Sequence, residues 1–208
     1  MSKKLIIAVD GPSASGKGTL CDLLSKHFHI HHLNTGALYR CVACNSIKKG
    51  IDLNDEAAVI EVAKSIDLKD LDDPNLFTEE MGSKAAIVAK IQPVRDLLLK
   101  YQRDFANQDG GAILDGRDIG TVICPDAPYK FFITASSEER AKRRYKEMLE
   151  KNQSCNYDEI LQKVKDRDEK DMNRESSPFK KADDAIEIDT TGKSIQEVFN
   201  EVLSYITN

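Results

Sequence analysis

The chain has 208 residues, 31% of them charged and 40% hydrophobic, with a formal net charge of −5. That length suits one α/β domain carrying a modest insertion, with a core that needs neither disulfides nor metal, and the composition is that of a soluble globular protein. The acidic balance argues against a general nucleic-acid binder, which carries a basic excess, and no apolar run approaches the ~20 residues of a membrane span.

In chain order, Met1-Ser2-Lys3-Lys4 leads into only five apolar residues before Asp10, too short for a signal peptide, so a cytoplasmic location is expected. Strands are predicted at 4–9, 31–34, 111–115, 129–134 and 185–189. Helices are predicted at 17–28, 36–48, 54–65, 78–90, 94–107, 137–151, 157–174 and 194–206. Short apolar runs alternating with helical patterns predict an α/β fold, a five-stranded parallel sheet with helices on both faces. Ser137 followed by Glu138 and Glu139 reads as a helix start. Three strands end in Asp (Asp10, Asp115, Asp189), and parallel sheets bind ligands at the carboxyl ends of their strands. No internal repeat, low-complexity segment or long linker interrupts this single domain. Two excursions do: an insert over about 36–108, mostly helical, whose acidic stretch 67–74 reads as loop, and a lid-like segment over about 140–180, dense in both charge signs.

Between the first strand and the first helix stands Gly11-Pro12-Ser13-Ala14-Ser15-Gly16-Lys17-Gly18-Thr19. Gly, four residues, Gly, Lys in that context is a phosphate-cradling loop. Its glycines turn backbone N–H groups inward on an anion, the helix N-terminus adds its dipole, and Lys17 supplies a mobile point charge. Gly18 departs from the strict pattern, which has a hydroxyl there; the hydroxyl comes one residue later as Thr19. The alternative is a Gly-rich turn with a surface lysine.

Three further groupings have the chemistry of a second anion site. Thr35, Gly36 and Arg40 follow the second strand, and they would equally make a capped helix with an exposed arginine. Asp115-Gly116-Arg117-Asp118 follows the third strand, with an arginine held between carboxylates for bidentate phosphate contact, or else a self-satisfied turn. Arg167, Asp171 and Arg174 share a helical face, for which a solvated, salt-bridged surface is the plainer meaning. Arg140, Arg143 and Arg144 also share a face, where like charges repel without an anionic partner and so favour a phosphate-facing role, with ordinary pairing to Glu139 and Glu147 as the alternative. The cysteines (Cys21, Cys41, Cys44, Cys124, Cys155) lack framework spacing and read as reduced thiols, and the Cys41–Cys44 pair falls in an apolar helix-like stretch. His27, His29, His31 and His32 straddle a helix end and a short strand and point in different directions, which does not suit a metal.

On these residues the chain resembles the cytidylate kinases, the (d)CMP kinases of the P-loop nucleoside monophosphate kinase group. The matching pieces are 11–19, Asn-Thr-Gly-Ala-Leu-Tyr-Arg (34–40), Asp-Gly-Arg-Asp-Ile-Gly-Thr-Val (115–122), Ser-Ser-Glu-Glu-Arg-Ala-Lys-Arg-Arg (136–144) and Arg167, Asp171, Asn173, Arg174, with Ser177-Pro178 following. They run in the family's order over nearly the whole chain. The resemblance implies Mg²⁺-dependent transfer of the ATP γ-phosphoryl group to CMP or dCMP. ATP would lie on residues 11–19 with Arg140 and Arg144 at the lid, and Thr19 would be the Mg²⁺ ligand. Thr35, Arg40 and Arg117 would face the CMP phosphate beside Asp115. Arg95 and Asp118 would read cytosine, Arg167 and Asp171 would contact ribose, and Arg174 would join Lys17 and Arg117 in catalysis. Partners are then ATP and CMP or dCMP, with no nucleic acid or membrane and a monomer as the default. Two departures bear on acceptor choice: Ala86 stands where the family usually has Ser, and the insert around 67–78 is shorter than in longer members. The rival readings are a kinase for UMP, AMP or shikimate, and a P-loop binding module without phosphotransfer.

Overall fold

The computed structural model describes residues 4–152, 154–173 and 179–207. Five strands, β1 (Ile6–Asp10), β2 (His31–Asn34), β3 (Ala112–Gly116), β4 (Tyr129–Thr134) and β5 (Ile186–Asp189), form one all-parallel sheet in the order β2-β3-β1-β4-β5. The register runs Ile6↔Ala112 to Asp10↔Gly116 between β1 and β3, and Ile7↔Tyr129 to Asp10↔Phe132 between β1 and β4. Because side chains alternate along a strand, this register decides which residues share a face. Ile7, Val9, Ile113, Phe131, Ile133 and Ile188 gather on one face, where Leu20, Cys21 and Leu24 of α1 (Lys17–Phe28) and Val198 and Val202 of α8 (Ile195–Thr207) pack on them. Burying each such aliphatic side chain is worth about 1.5–3 kcal/mol, so this face anchors α1, whose N-terminal residue Gly16 offers no side-chain cap.

The chain forms two compact units, Met1–His32 with Gln108–Asn208, and Leu33–Asn107. The first also holds α6 (Ser137–Glu150) and α7 (Tyr157–Met172), which pack on each other around Ala141, Ile160 and Val164. Side-chain oxygens start both helices. Ser136, one residue before the expected start, accepts from Glu139 N, and Asn156 accepts from Asp158 N and Glu159 N.

The second unit is helical. It comprises α2 (Thr35–Lys48), α3 (Glu56–Lys64), α4 (Glu79–Val88) and α5 (Gln92–Ala106), capped by Asn34, Asp55 and Thr78 and, for α5, begun with a proline. The stretch expected as loop is not loop: it makes two 3₁₀ turns, Leu68–Asp72 and Pro74–Phe77. Asp67 and Asp73 carboxylates accept the Lys69 and Asn75 amides, so acids that read as solvated loop act as caps.

Candidate active site

The loop between β1 and α1 is a strained cradle. Ala14 and Gly16 both take left-handed backbone (φ 58° and 87°), which aims successive N–H groups to one side. A Cβ on Gly11 would run into the Ile133 carbonyl, so only glycine lets the loop cross the end of β4. Neighbours hold its outer wall: Thr190 Oγ1 lies 3.2 Å from the Ser15 carbonyl, and Arg140 Nη1 donates to the Ser13 carbonyl at 3.4 Å. The Ser15 hydroxyl is buried with no hydrogen-bond partner, the kind of orphaned polar group that a cradled phosphate oxygen would satisfy.

Lys17 donates to the Pro12 carbonyl at 3.2 Å. Burial, with Arg117 and Arg167 nearby, pulls its ammonium down to about 7, and Asp115 opposes the fall. The Arg167 guanidinium is likewise pushed below its ordinary value by burial and by Arg117, with Asp171 opposing. Arg117 thus opposes the charge on both Lys17 and Arg167, and an anion here would relieve it.

The loop after β3 is held from several sides. Arg117 Nε donates to Asp171 Oδ2 at 2.8 Å, and its guanidinium lies 5.6 Å over the Phe179 ring, which stacks on Phe132. Asp10 sits on the opposite sheet face from Asp115 and accepts from Ile119 N and Gly120 N, both at 2.8 Å. Burial lifts its carboxyl to about 6 despite those two donors. Asp10 thus anchors the π-helical turn Ile119–Ile123 that follows the buried Asp118.

The arginines of α6 find carboxylates within the protein. Arg140, only 4% exposed, donates to the Ala135 carbonyl and to both oxygens of Asp168 on α7. Arg143 lies 3.3 Å from Glu139 and donates to Thr190 through Nη1 and Nη2 (3.0 and 2.7 Å). Arg144 pairs with Glu147 at 3.2 Å. The expectation of like charges awaiting an anionic partner is corrected here: ordinary ion pairs form, because the carboxylates lie one helical turn away or on the packed neighbour. A cavity of about 240 Å³ opens beside the loop, lined by Ala14–Gly16, Thr19, Arg143, Thr190, Lys193, Ile195 and Val198 among others.

In the unit Leu33–Asn107, Thr35 is buried at the first turn of α2, and Arg40 donates to the Leu76 and Thr78 carbonyls at 2.5 and 2.9 Å. Buried Arg95 lies 5.9 Å over the Tyr39 ring and reaches the Ala89 carbonyl at 3.4 Å. Ala86 is exposed on α4. Arg174 lies outside the described residues, as do Ser177 and Pro178. Of the expected set, the structure therefore gathers Lys17, Asp115, Arg117, Arg167 and Asp171. Sequence reasoning missed Asp168, Phe179 and Thr190; only Thr190, directly after a strand's carboxyl end, left a signal.

A family model described as "Cytidylate kinase" matches residues 7–208. The chain belongs to the cytidylate kinase family. Curated cytidylate kinases agree. That of Bartonella bacilliformis is 47% identical over 93% of this chain and 90% of its own length, and that of Clostridioides difficile is 44% identical over 97% and 98%. The fold also matches a solved structure, an uncharacterized protein from Eubacterium ventriosum, at a TM-score of 0.61 and 17% identity over 99% of both chains. Like the cytidylate kinase family as a whole, the chain is a phosphotransferase, and among the described residues no helix is long and apolar enough to cross a membrane.

Proposed function

We propose that this enzyme transfers the γ-phosphoryl group of Mg²⁺-bound ATP to CMP or dCMP, giving ADP and CDP or dCDP. The observation that carries the reading is the strained loop with its orphaned Ser15 hydroxyl beside Lys17 and Arg167, whose charges burial and Arg117 oppose and an incoming polyphosphate would relieve. The donor phosphates would lie on residues 11–19, and the adjoining cavity, with apolar Ile195 and Val198 and cationic Arg143 and Lys193, would take the nucleoside end. Arg140 supports this site by holding the loop rather than by reaching into the cavity.

The acceptor oxygen belongs to an already ionised phosphate. It attacks the γ-phosphorus as the bond to the departing ADP oxygen breaks, so alignment and charge neutralisation suffice without a strong general base. Lys17 would steady the donor phosphates, and Arg117, fixed by Asp171, would stabilise the transferring group. By resemblance, Arg174 joins them, Thr35 and Arg40 hold the acceptor phosphate, Arg95 and Asp118 read cytosine, and Arg167 and Asp171 contact ribose. The segment 140–180 would close as a lid and exclude water, limiting wasteful hydrolysis. A hard cation takes oxygen ligands, and Thr19, exposed in the first turn of α1 at the cavity wall, fits that requirement. When bound, Mg²⁺ supplies charge neutralisation on the phosphate oxygens.

An ADP-release assay with ATP against CMP, dCMP, UMP, AMP and shikimate tests this. Stimulation greatest with CMP or dCMP is expected; greater stimulation by another acceptor, or none by any, overturns it.

A further inference from the structure

His32 lies on β2 at the edge of the sheet, and each of its ring nitrogens meets a carboxylate. Nδ1 is 2.8 Å from Asp22 Oδ1 on α1, and Nε2 is 2.8 Å from Asp115 Oδ1 on β3. A neutral imidazole has one N–H and one lone pair, so it can donate to only one of two ionised carboxylates and repels the other. Both contacts together require the imidazolium, with a proton on each nitrogen. The His32 side chain is 13% exposed and that of Asp115 only 2%, so the inner contact is shielded from water, while Asp22 stands in solvent. Asp115 is also the carboxylate that opposes the loss of charge on Lys17.

We propose that His32 is a positioning residue for phosphoryl transfer: as an imidazolium bridging Asp22 and Asp115, it fixes the Asp115 carboxylate beside Lys17 at the carboxyl edge of the sheet. The proposal rests on the reading of Lys17 as a donor-phosphate residue. It names a residue outside the arginine set and assigns it a protonation state.

The consequence is a switch with a defined direction. When His32 loses a proton, one of its two contacts must open, and Asp115 loses the positive charge that faces it across the ring. The groups facing the ring are Asp22 of α1 and Asp115 of β3, with Lys17 and Cys21 of α1 beyond Asp115 and exposed His31 on its own strand. Burial favours the neutral ring, but the two carboxylates outweigh it and hold the imidazole above its ordinary value. The bridge therefore persists to higher pH than an ordinary histidine would keep its charge, and is lost on the alkaline side of that.

The test reads His32 directly. In the nucleotide-free enzyme, ¹⁵N ring shifts across pH should show both nitrogens protonated on the acid side, passing to a single neutral tautomer with a midpoint above the ordinary 6.5. kcat should fall over the same interval. Asp22→Asn, at an exposed position, removes one of the two anions, and both midpoints should move down together by about one pH unit. His32→Ala should abolish the inflection and lower kcat on the order of tenfold, as loss of an orienting partner does, and His32→Gln, which keeps one donor, should recover part of it. A ring midpoint at or below 6.5, or a kcat midpoint that stays in place in Asp22→Asn, would overturn the proposal. The ring shifts are read without nucleotide and stand apart from the donor-site reading. That reading fails instead if Lys17→Met keeps its turnover while the His32 spectrum is unchanged.

Discussion

Arg117 Nε and Asp171 Oδ2 meet at 2.8 Å, tying the loop after β3 to α7 across 54 residues of sequence. The pair aims a guanidinium that would otherwise sample many rotamers, since an arginine loses up to ~2 kcal/mol of side-chain entropy when fixed. Fixing it before substrate arrives removes that cost from the reaction. Asp171→Ala should therefore lower kcat/KM for CMP by roughly 10²-fold, the scale of losing one preorganised electrostatic contact. Steady-state kinetics in both substrates checks this, and an equal loss in the KM for ATP would place Asp171 in donor binding instead.

Asp168 and Arg140 form the second link from α7, here to the phosphate loop through the Ser13 carbonyl. Asp168→Ala strands an arginine that is 4% exposed, and removing one partner of a buried pair costs about 3 kcal/mol. A lowered urea midpoint with m unchanged is expected. Asp168→Ala within about 0.5 kcal/mol of the parent would show that water reaches Arg140 and that the link is not structural.

The two glycines at the ends of the loop should respond oppositely. Gly11→Ala drives a Cβ into the Ile133 carbonyl, so expression of folded, ATP-binding protein should fall sharply. A Cβ at Gly18 meets nothing within 4 Å, and the residue lies in α1. Gly18→Ala should keep activity within a few-fold and add roughly 0.5–1 kcal/mol of stability through helix propensity. Thermal unfolding and ADP release on the same preparations separate the two.

Lys17 exchanges stability for function. Its folded-state value of about 7 lies below the ordinary 10.5, so between those limits the unfolded chain binds the proton more tightly and stability rises with pH. Below pH 7 the charged form is retained at the full cost of its burial. Lys17→Met should thus raise the urea midpoint most at pH 6 and least near pH 10, while abolishing turnover. A midpoint gain that is the same at both pH values would show that the gain does not come from the charge.

Much of this fold is legible locally. β1, α1 and the loop between them follow from an apolar run, a Gly-rich turn and an amphipathic start, and the five strands and eight α-helices all begin and end within two residues of their expected places. The acidic stretch 67–74 misled because Asp side chains that cap a turn and Asp side chains that face solvent have the same composition. The arginines of α6 misled for a related reason: their spacing records that they share a face, whereas the carboxylate that claims Arg140 comes from a helix 28 residues away.

The class of the protein is readable from residue types and their spacing alone. A P-loop, a second arginine-bearing strand end and a run of family motifs in order depend on residue type and short spacing, which local backbone geometry converts directly into an anion site. Which charges answer one another follows from the folded arrangement instead: Arg117 with Asp171, Arg140 with Asp168, His32 with Asp22 and Asp115 together. Those pairings depend on parallel-strand register and helix packing, which bring residues tens of positions apart within 3 Å, and Coulomb energy follows distance in space rather than along the chain.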